Sequence, residues 1–305
     1  MIKKFLKLYK KTLKPIEIEE YFDLYFTRII SFALVLLVSP FKFSPNYFTF
    51  ISMITGLLSG YFFSLPSYKG LIYGVILLEI TNIFDCADGQ LARYKNISSK
   101  FGKTLDGLAD IVTYFSIYGG IALHIYRTSF HSNLIFFYAL LSIISMFIHI
   151  FFFDHFKNQL ISYYILSYKE KSEDTNELKR KYIKLKKEKA YIKATLAYLY
   201  YLFYKLENSF TNIGYIKEYR GFFYLRERKK ITNKVRNLYY KKMKFSVRLW
   251  TFLGASSHLL VFIIFAILNK PLYIFHTIFI IYNLFFIIII FYQKRKLKEF
   301  IKNIN

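Results

Sequence analysis

The sequence is short of the residues that cross-link a chain and of acids to balance its bases. Cys86 is the one cysteine among 305 residues, which excludes an intrachain disulfide and any multi-cysteine zinc or iron–sulfur site. Six histidines, His124, His131, His149, His155, His258 and His276, are scattered without metal-ligand spacing, so a helix-to-helix hydrogen bond is the expected role of each but His155 and His258. No internal repeat at roughly 20 to 50 residues is visible, which excludes a solenoid. The N-terminus lacks a short apolar core followed by small residues, so no removable leader is expected. Asp and Glu number 19 against 44 Lys and Arg, a formal charge of +25. Nucleic-acid-binding motifs are missing, and that charge reads instead as membrane topology and attraction to anionic lipid headgroups.

What the chain does have is apolar length. Hydrophobic residues make up 55% and aromatics 21%, too apolar for an ordinary soluble domain. A spanning helix needs about 20 mostly apolar residues. Such runs lie at roughly 46–65, 70–90, 104–126, 132–155, 247–268 and 270–293, which predicts an all-α, polytopic bundle of six transmembrane helices. A further run over 22–41 begins with Asp23 and Arg28 and stops at Pro40; it is expected to lie along the surface, because a seventh span would put two basic segments on opposite sides of the membrane. With six spans, Lys3 to Lys14, the turn from Lys95 to Lys103, the region 156–245 and the tail from Lys294 all face the cytoplasm. The expected organisation is a basic approach with an interfacial helix (1–45), spans one to four (46–155), a basic cytoplasmic insert (156–245), spans five and six (246–293) and a basic tail (294–305). Within the insert, Asn176–Ser209 reads equally as a helix pair on the leaflet or as a solvated linker.

Small residues mark where spans approach: Gly56 and Gly60 in the first, Gly70 and Gly74 in the second, Gly119 and Gly120 in the third. In the first span Asn46, Thr49, Ser52, Gly56 and Ser59 recur at three or four residues and share one face, which should look into the bundle.

The chemistry is concentrated between Asp85 and Asp110. Asp85, Asp88 and Ala92 fall on one helical face, as do Gly102, Asp106 and Asp110 on the next helix. The basic turn between the helices would bring their carboxylates to one small space near the cytoplasmic surface. Four acids at a membrane edge repel one another and lose hydration, so a cation must sit among them. Arg93 alone cannot balance them. Oxygen ligands without His or Cys suit a hard divalent ion such as Mg2+, Mn2+ or Ca2+, and two such ions suit a reaction on a diphosphate. Gly89 and Ala92 remove bulk on the acids' side, and Arg93 offers a fixed fork to phosphate or to a neighbouring Asp.

This arrangement resembles the signature of the CDP-alcohol phosphatidyltransferases at all eight defining positions and at every spacing, and Pro45, Asn46 and Thr49 resemble that family's Pro-Asn-x-x-Thr element. The likeness covers roughly 22–155 and 246–293; the insert departs from the compact members. The resemblance implies that Asp85, Asp88 and Asp106 hold a pair of Mg2+ or Mn2+ ions, and that Asp110 touches one ion and takes the acceptor's proton. Gly89, Ala92 and Arg93 would line the CDP site, with Asn46 and Thr49 in support. Arg248 is a candidate acceptor ligand, and His155 and His258 stand where the acceptor could enter. Glu79 and Asn82 are expected to make polar contacts within the bundle.

The expected activity is transfer of a phosphatidyl-type group from a CDP-linked lipid, CDP-diacylglycerol, to a small polar alcohol with release of CMP. The alternative is a divalent-cation transporter, which would spread its acids across the membrane depth. Expected partners are the lipid donor, the alcohol acceptor and membrane lipids, with a homodimer left open and no nucleic acid. The expected location is a bacterial cell membrane, with the active site facing the cytoplasm.

Overall fold

The computed structural model describes residues 2–97, 100–129, 131–164, 175–188 and 232–303, with scattered positions between 190 and 205. The described residues are helical, without strands. In order, α1 is Ile2–Thr12, α2 Arg28–Val38, α3 Pro45–Phe63, α4 Tyr68–Tyr94, α5 Lys100–Thr128, α6 Leu134–Tyr164, α7 Thr175–Lys187, α8 Asn233–Trp250, α9 Ala255–Ile267, α10 Leu272–His276 and α11 Asn283–Lys302. A 3-10 turn at Ile16–Ile18 and a π-turn at Asp23–Thr27 lead into α2, and a second π-turn, Thr277–Tyr282, joins α10 to α11.

Among the described residues four helical stretches are long and apolar enough to cross a membrane: Tyr68–Tyr94, Thr104–Thr128, Leu134–Ile161 and Leu272–Lys302. The bent pair Asn233–Leu253 and Ala255–Ile267 makes a fifth if it is one span. The expected first span, α3, forms and has the length, at 19 residues. It falls short in apolarity because Asn46, Thr49, Ser52, Thr55 and Ser59 lie along it, and Thr49, Ser52 and Ser59 are buried in the protein.

Contact clustering divides the chain into two units. The first comprises Met1–Phe147 and Gly254–Asn283. Here α3 packs against both α4 and α5, whereas α4 and α5 approach each other less closely. Glycines set the contacts. A methyl group on Gly56 would strike Thr113, and one on Gly60 would strike the Ser116 backbone, so α3 and α5 meet nearly backbone to backbone. Hydrogen bonds from Ser59 Oγ to the Gly74 carbonyl, at 2.8 Å, and from Thr81 Oγ1 to Thr55 Oγ1, at 2.9 Å, tie α3 to α4. Without a hydrophobic force between helices in lipid, such close packing and polar pairing take over.

The ends of α4 follow from local chemistry. Ser67 caps its start by accepting from the Gly70 N–H at 3.1 Å. Its C-terminus closes through Asn96 in the left-handed region (φ 54°), where the Ile97 N–H returns to the Ala92 carbonyl at 2.9 Å. Lys95 then donates to the carbonyls of Phe41 and Phe43, at 2.8 and 3.1 Å. α2 presents Ser31, Phe32 and Val35 inward and packs on α4, while Ile29, Ile30 and Leu37 stay exposed.

The second unit comprises Ile148–Leu253 and Leu284–Asn305. Its core holds Trp250 stacked on Phe152 and Phe156, with Phe286 edge-on. Tyr239 donates to Gln159, and Ser246 donates to Gln293. Of the expected insert, α7 is helical with Leu178 buried and Lys179, Arg180 and Lys181 exposed. Most of the Tyr-rich run that follows lies outside the described residues.

Candidate active site

The acids converge. Asp85 and Asp88 project from α4 and Asp106 from α5, and each offers a carboxylate oxygen such that the three lie within 4.8 Å of one another. The spacing of three residues places Asp85 and Asp88 on one side of α4. The carboxylates meet across the gap between α4 and α5, with α3 packed on both helices.

Thr49 of α3 donates from Oγ1 to Asp88 Oδ2 at 2.6 Å, fixing that carboxylate from the third helix. Arg93, one turn beyond Gly89, lays its guanidinium over the glycine: a methyl there would stand 3.3 Å from Nη1. Arg93 acts electrostatically on Asp88 and donates from Nε to the Thr12 carbonyl at 2.5 Å. Asp110, one turn past Asp106, is half-buried and lies outside the three-carboxylate group. Asn46 and Ala92 are half-buried at the start of α3 and near the end of α4. Arg248 belongs to the second unit, on α8, where its carbonyl accepts from Thr251 Oγ1 at 2.8 Å.

The donor set fits a hard divalent cation. All three ligands are oxygens, and Asp106 Oδ1 is buried with no hydrogen-bond partner among the described residues. A buried carboxylate oxygen left without a partner is costly, and a cation coordinated by these groups removes that cost.

A second polar assembly, not foreseen from the sequence, flanks the first. Glu19, 2% exposed, pairs with Arg28 Nε at 2.9 Å and accepts from the Lys14 N–H at 2.7 Å. Asp23 accepts from Ser256 Oγ at 2.6 Å and Asn82 Nδ2 at 3.3 Å. Glu20 accepts from the N–H and hydroxyl of Ser257, at 2.8 and 3.1 Å, in the first turn of α9. Its carboxylate occupies the space a side chain at Gly254 would need. Burial, reinforced by Asp23, pushes the Glu20 carboxyl up to about 8. Burial raises Asp23 as well. Thr27 donates to Glu79 at 3.1 Å, and Gln90 accepts from Ser31 at 2.5 Å. Glu79 and Asn82 are thus polar contacts, as expected. Nothing local in the sequence announces this assembly, because Asp23 and Ser256 lie 233 residues apart.

Three of the histidines make hydrogen-bond contacts within the first unit. His124 meets the Leu65 carbonyl at 2.6 Å, His258 the Gly254 carbonyl at 2.7 Å and His276 the Tyr138 hydroxyl at 3.1 Å.

The family comparison places this geometry: the model described as CDP-alcohol phosphatidyltransferase matches residues 42–216, more than half of the chain. The chain belongs to the CDP-alcohol phosphatidyltransferase family. The match continues past residue 156, so part of the expected insert falls within it.

Similar curated proteins include the bifunctional IPC transferase and DIPP synthase of Aquifex aeolicus, 33% identical over 91 residues, which are 29% of this chain and 20% of that protein. A CDP-diacylglycerol–serine O-phosphatidyltransferase of Helicobacter pylori is 36% identical over 77 residues, 25% of this chain and 31% of that protein. The phosphatidylinositol phosphate synthase of Corynebacterium glutamicum is 34% identical over 85 residues, 28% of this chain and 38% of that protein. The chain spans between a fifth and two fifths of the length of these relatives.

Proposed function

We propose that this protein transfers a phosphatidyl-type group from CDP-diacylglycerol to a small polar alcohol and releases CMP. The observation that carries the reading is the convergence of Asp85, Asp88 and Asp106 within 4.8 Å, with an orphaned Asp106 oxygen, in a chain of this family.

Asp85, Asp88, Asp106 and Asp110 would hold two divalent cations, Mg2+ or Mn2+. When bound, these ions neutralise the diphosphate and polarise the phosphoryl group under attack. The protein's own groups do the rest. Thr49 holds Asp88 in a fixed rotamer, so the pocket is preorganised before substrate arrives. Gly89 and Ala92 leave room for the CDP moiety, with Asn46 at its edge, and the Arg93 fork over Gly89 donates to phosphate oxygens. Asp110 takes the proton from the acceptor hydroxyl. That oxygen forms a bond to the lipid-linked phosphorus as the bond to the CMP oxygen breaks, and CMP leaves with the electron pair. No covalent enzyme intermediate is required, since the acceptor hydroxyl attacks the phosphorus directly.

In this reading the bundle has six spans, with α3 as the first and the bent pair broken at Gly254 as the fifth. The termini and the 156–245 region face the cytoplasm of a bacterial cell. The segment ahead of α3 lies at the interface. The relatives act on serine in one case and make phosphatidylinositol phosphate in another, by their names. The acceptor here is an alcohol of that size. A cation transporter would distribute acids along the helices, and the cluster of three at one point favours the transferase.

The test is CMP release from CDP-diacylglycerol by purified protein across a panel of alcohols. Release should require one particular alcohol, stop with a chelator and return with Mg2+ or Mn2+. Full activity in excess chelator contradicts the metal site, and no CMP release with any alcohol contradicts the function.

A further inference from the structure

By sequence, the stretch from Lys3 to Lys14 is a basic approach to the bundle. The structure builds its inner side into the first unit. Tyr9 is buried in one apolar cluster with Phe32 of α2 and with Ala87 and Leu91 of α4, and its hydroxyl donates to the Leu24 carbonyl at 2.8 Å. Thr12, at the end of α1, is buried and bonds back to the Tyr9 carbonyl at 2.7 Å. Lys10 and Lys11, between them, are exposed. α1 is therefore docked by contacts of its own, none of which involves Arg93.

Arg93 nonetheless reaches this helix. Its Nε donates to the Thr12 carbonyl at 2.5 Å, while Nη1 and Nη2 lie over Gly89. From Thr12 a closed ring of contacts returns to the same turn of α4. The Lys14 N–H donates to Glu19, Glu19 pairs with Arg28, and the Arg28 carbonyl accepts from Gln90 Nε2 at 3.1 Å. Gln90 is fully buried, and its Oε1 accepts from Ser31. Pro15 stiffens the ring with its φ fixed at −52°. Gln90 and Arg93 thus grip the two ends of one segment, Thr12 to Arg28, from positions three residues apart on α4.

We propose that the segment from Thr12 to Arg28 is the positioning element of Arg93, holding its guanidinium over Gly89 so that the fork meets the diphosphate of the CDP donor already oriented. This role rests on the CDP-donor reading above. An arginine side chain loses much rotamer freedom when a ligand fixes it. Anchoring Nε in advance removes that loss from the binding step, which is the general effect of preorganisation. A carbonyl at the end of a helix suits the task, since the helix dipole places partial negative charge there. Tyr9 and the apolar cluster already dock α1, so what the Thr12 contact adds is the orientation of Arg93. Tyr9, Thr12 and Gln90 are positioning residues in this arrangement: they act on the donor through Arg93.

The experiment measures CDP binding in Mg2+ by calorimetry on the full-length protein in detergent, arranged as double-mutant cycles. Tyr9→Ala undocks α1 and should weaken CDP binding by about 10-fold, the loss typical of a hydrogen bond to a charged group. Gln90→Met keeps the packing volume but opens the ring at its other end, and should weaken binding by about 2-fold to 10-fold, as for a neutral hydrogen bond. Arg93→Lys keeps the charge but gives up the fork and its Nε donor; in that background neither change should weaken CDP binding further. Lys10→Gln, at an exposed position of α1, should change nothing. Mn2+ binding without nucleotide, followed by electron paramagnetic resonance, should persist in Tyr9→Ala and Gln90→Met. Unchanged CDP affinity in both variants overturns the proposal. So do losses that add in full to that of Arg93→Lys, which would mean that the segment acts elsewhere, and an equal loss in Lys10→Gln, which would indicate general surface charge. A parallel loss of Mn2+ binding also overturns it, because the segment would then support the bundle as a whole. Failure of the wild type to bind CDP in Mg2+ overturns the donor reading itself, and this role with it.

Discussion

Two groups of buried acids lie in the first unit, and they differ in how closely their carboxylates crowd together and in what partners them. Around Glu19, Glu20 and Asp23 the chain supplies partners: Arg28, the Lys14 N–H, Ser256, Ser257 and Asn82. Around Asp85, Asp88 and Asp106 it supplies Thr49 and the charge of Arg93 to Asp88, and among the described residues it leaves Asp106 Oδ1 buried without a hydrogen bond. Satisfied buried charge is structural, and breaking it costs stability. Three buried acids that converge on one point and are not fully satisfied by the chain imply a ligand that satisfies them. The same residue types therefore build a frame in one place and a site in the other.

The comparison breaks first at Asp110. Its replacement, Asp110→Asn, removes the proposed base and should lower kcat by about 100-fold to 10,000-fold with donor affinity nearly unchanged, and added metal should not restore it. Steady-state kinetics with varied CDP-diacylglycerol separates the two parameters. Loss of donor binding comparable to that of Asp88→Asn would make Asp110 another metal ligand.

A smaller effect is expected at the junction of α3 with the cluster. Thr49→Val keeps the shape but removes the 2.6 Å hydrogen bond to Asp88, and Mn2+ affinity should fall by roughly 10-fold, in line with a hydrogen bond to a charged acceptor. Unaltered Mn2+ affinity would mean that Thr49 serves packing alone.

The frame should answer to pH rather than to metal. Glu20 is raised to about 8 by burial and by Asp23, opposed by hydrogen bonds from Ser257. A carboxyl raised on folding holds a proton that the unfolded chain has released. Its stabilising contribution is complete below the ordinary carboxylate range and is lost as pH rises through about 8. Thermal stability in detergent should decline between those limits, with a slope of at most about 1.4 kcal/mol per pH unit from this group. Glu20→Gln should flatten the slope. An unchanged slope would move the titration to Asp23, which faces the same Arg28 and Ser256.

Much of the site was legible because helical periodicity is local. The three-residue step from Asp85 to Asp88 and the short turn before Asp106 suffice to bring three acids together, and the polar stripe from Asn46 to Ser59 points Thr49 at them. The same stripe explains why α3 reads as a span by length and less so by apolarity: its polar atoms are buried in protein. What escaped the sequence depends on distant partners. Asp23 reads as the charged start of a surface helix and Glu20 carries no reading at all, since nothing near them names Ser256 or Ser257. Arg93 was expected at phosphate or a neighbouring Asp, and it also holds the Thr12 carbonyl, a contact that spacing along one helix cannot reveal.

The most direct measurement of the central claim is a Mn2+ titration by electron paramagnetic resonance on purified wild type, Asp106→Asn and Glu20→Gln, matched in helix content by circular dichroism. The account predicts tight Mn2+ binding in the wild type, loss of that binding in Asp106→Asn and retention in Glu20→Gln. Wild-type affinity in Asp106→Asn, or equal loss in Glu20→Gln, would contradict it.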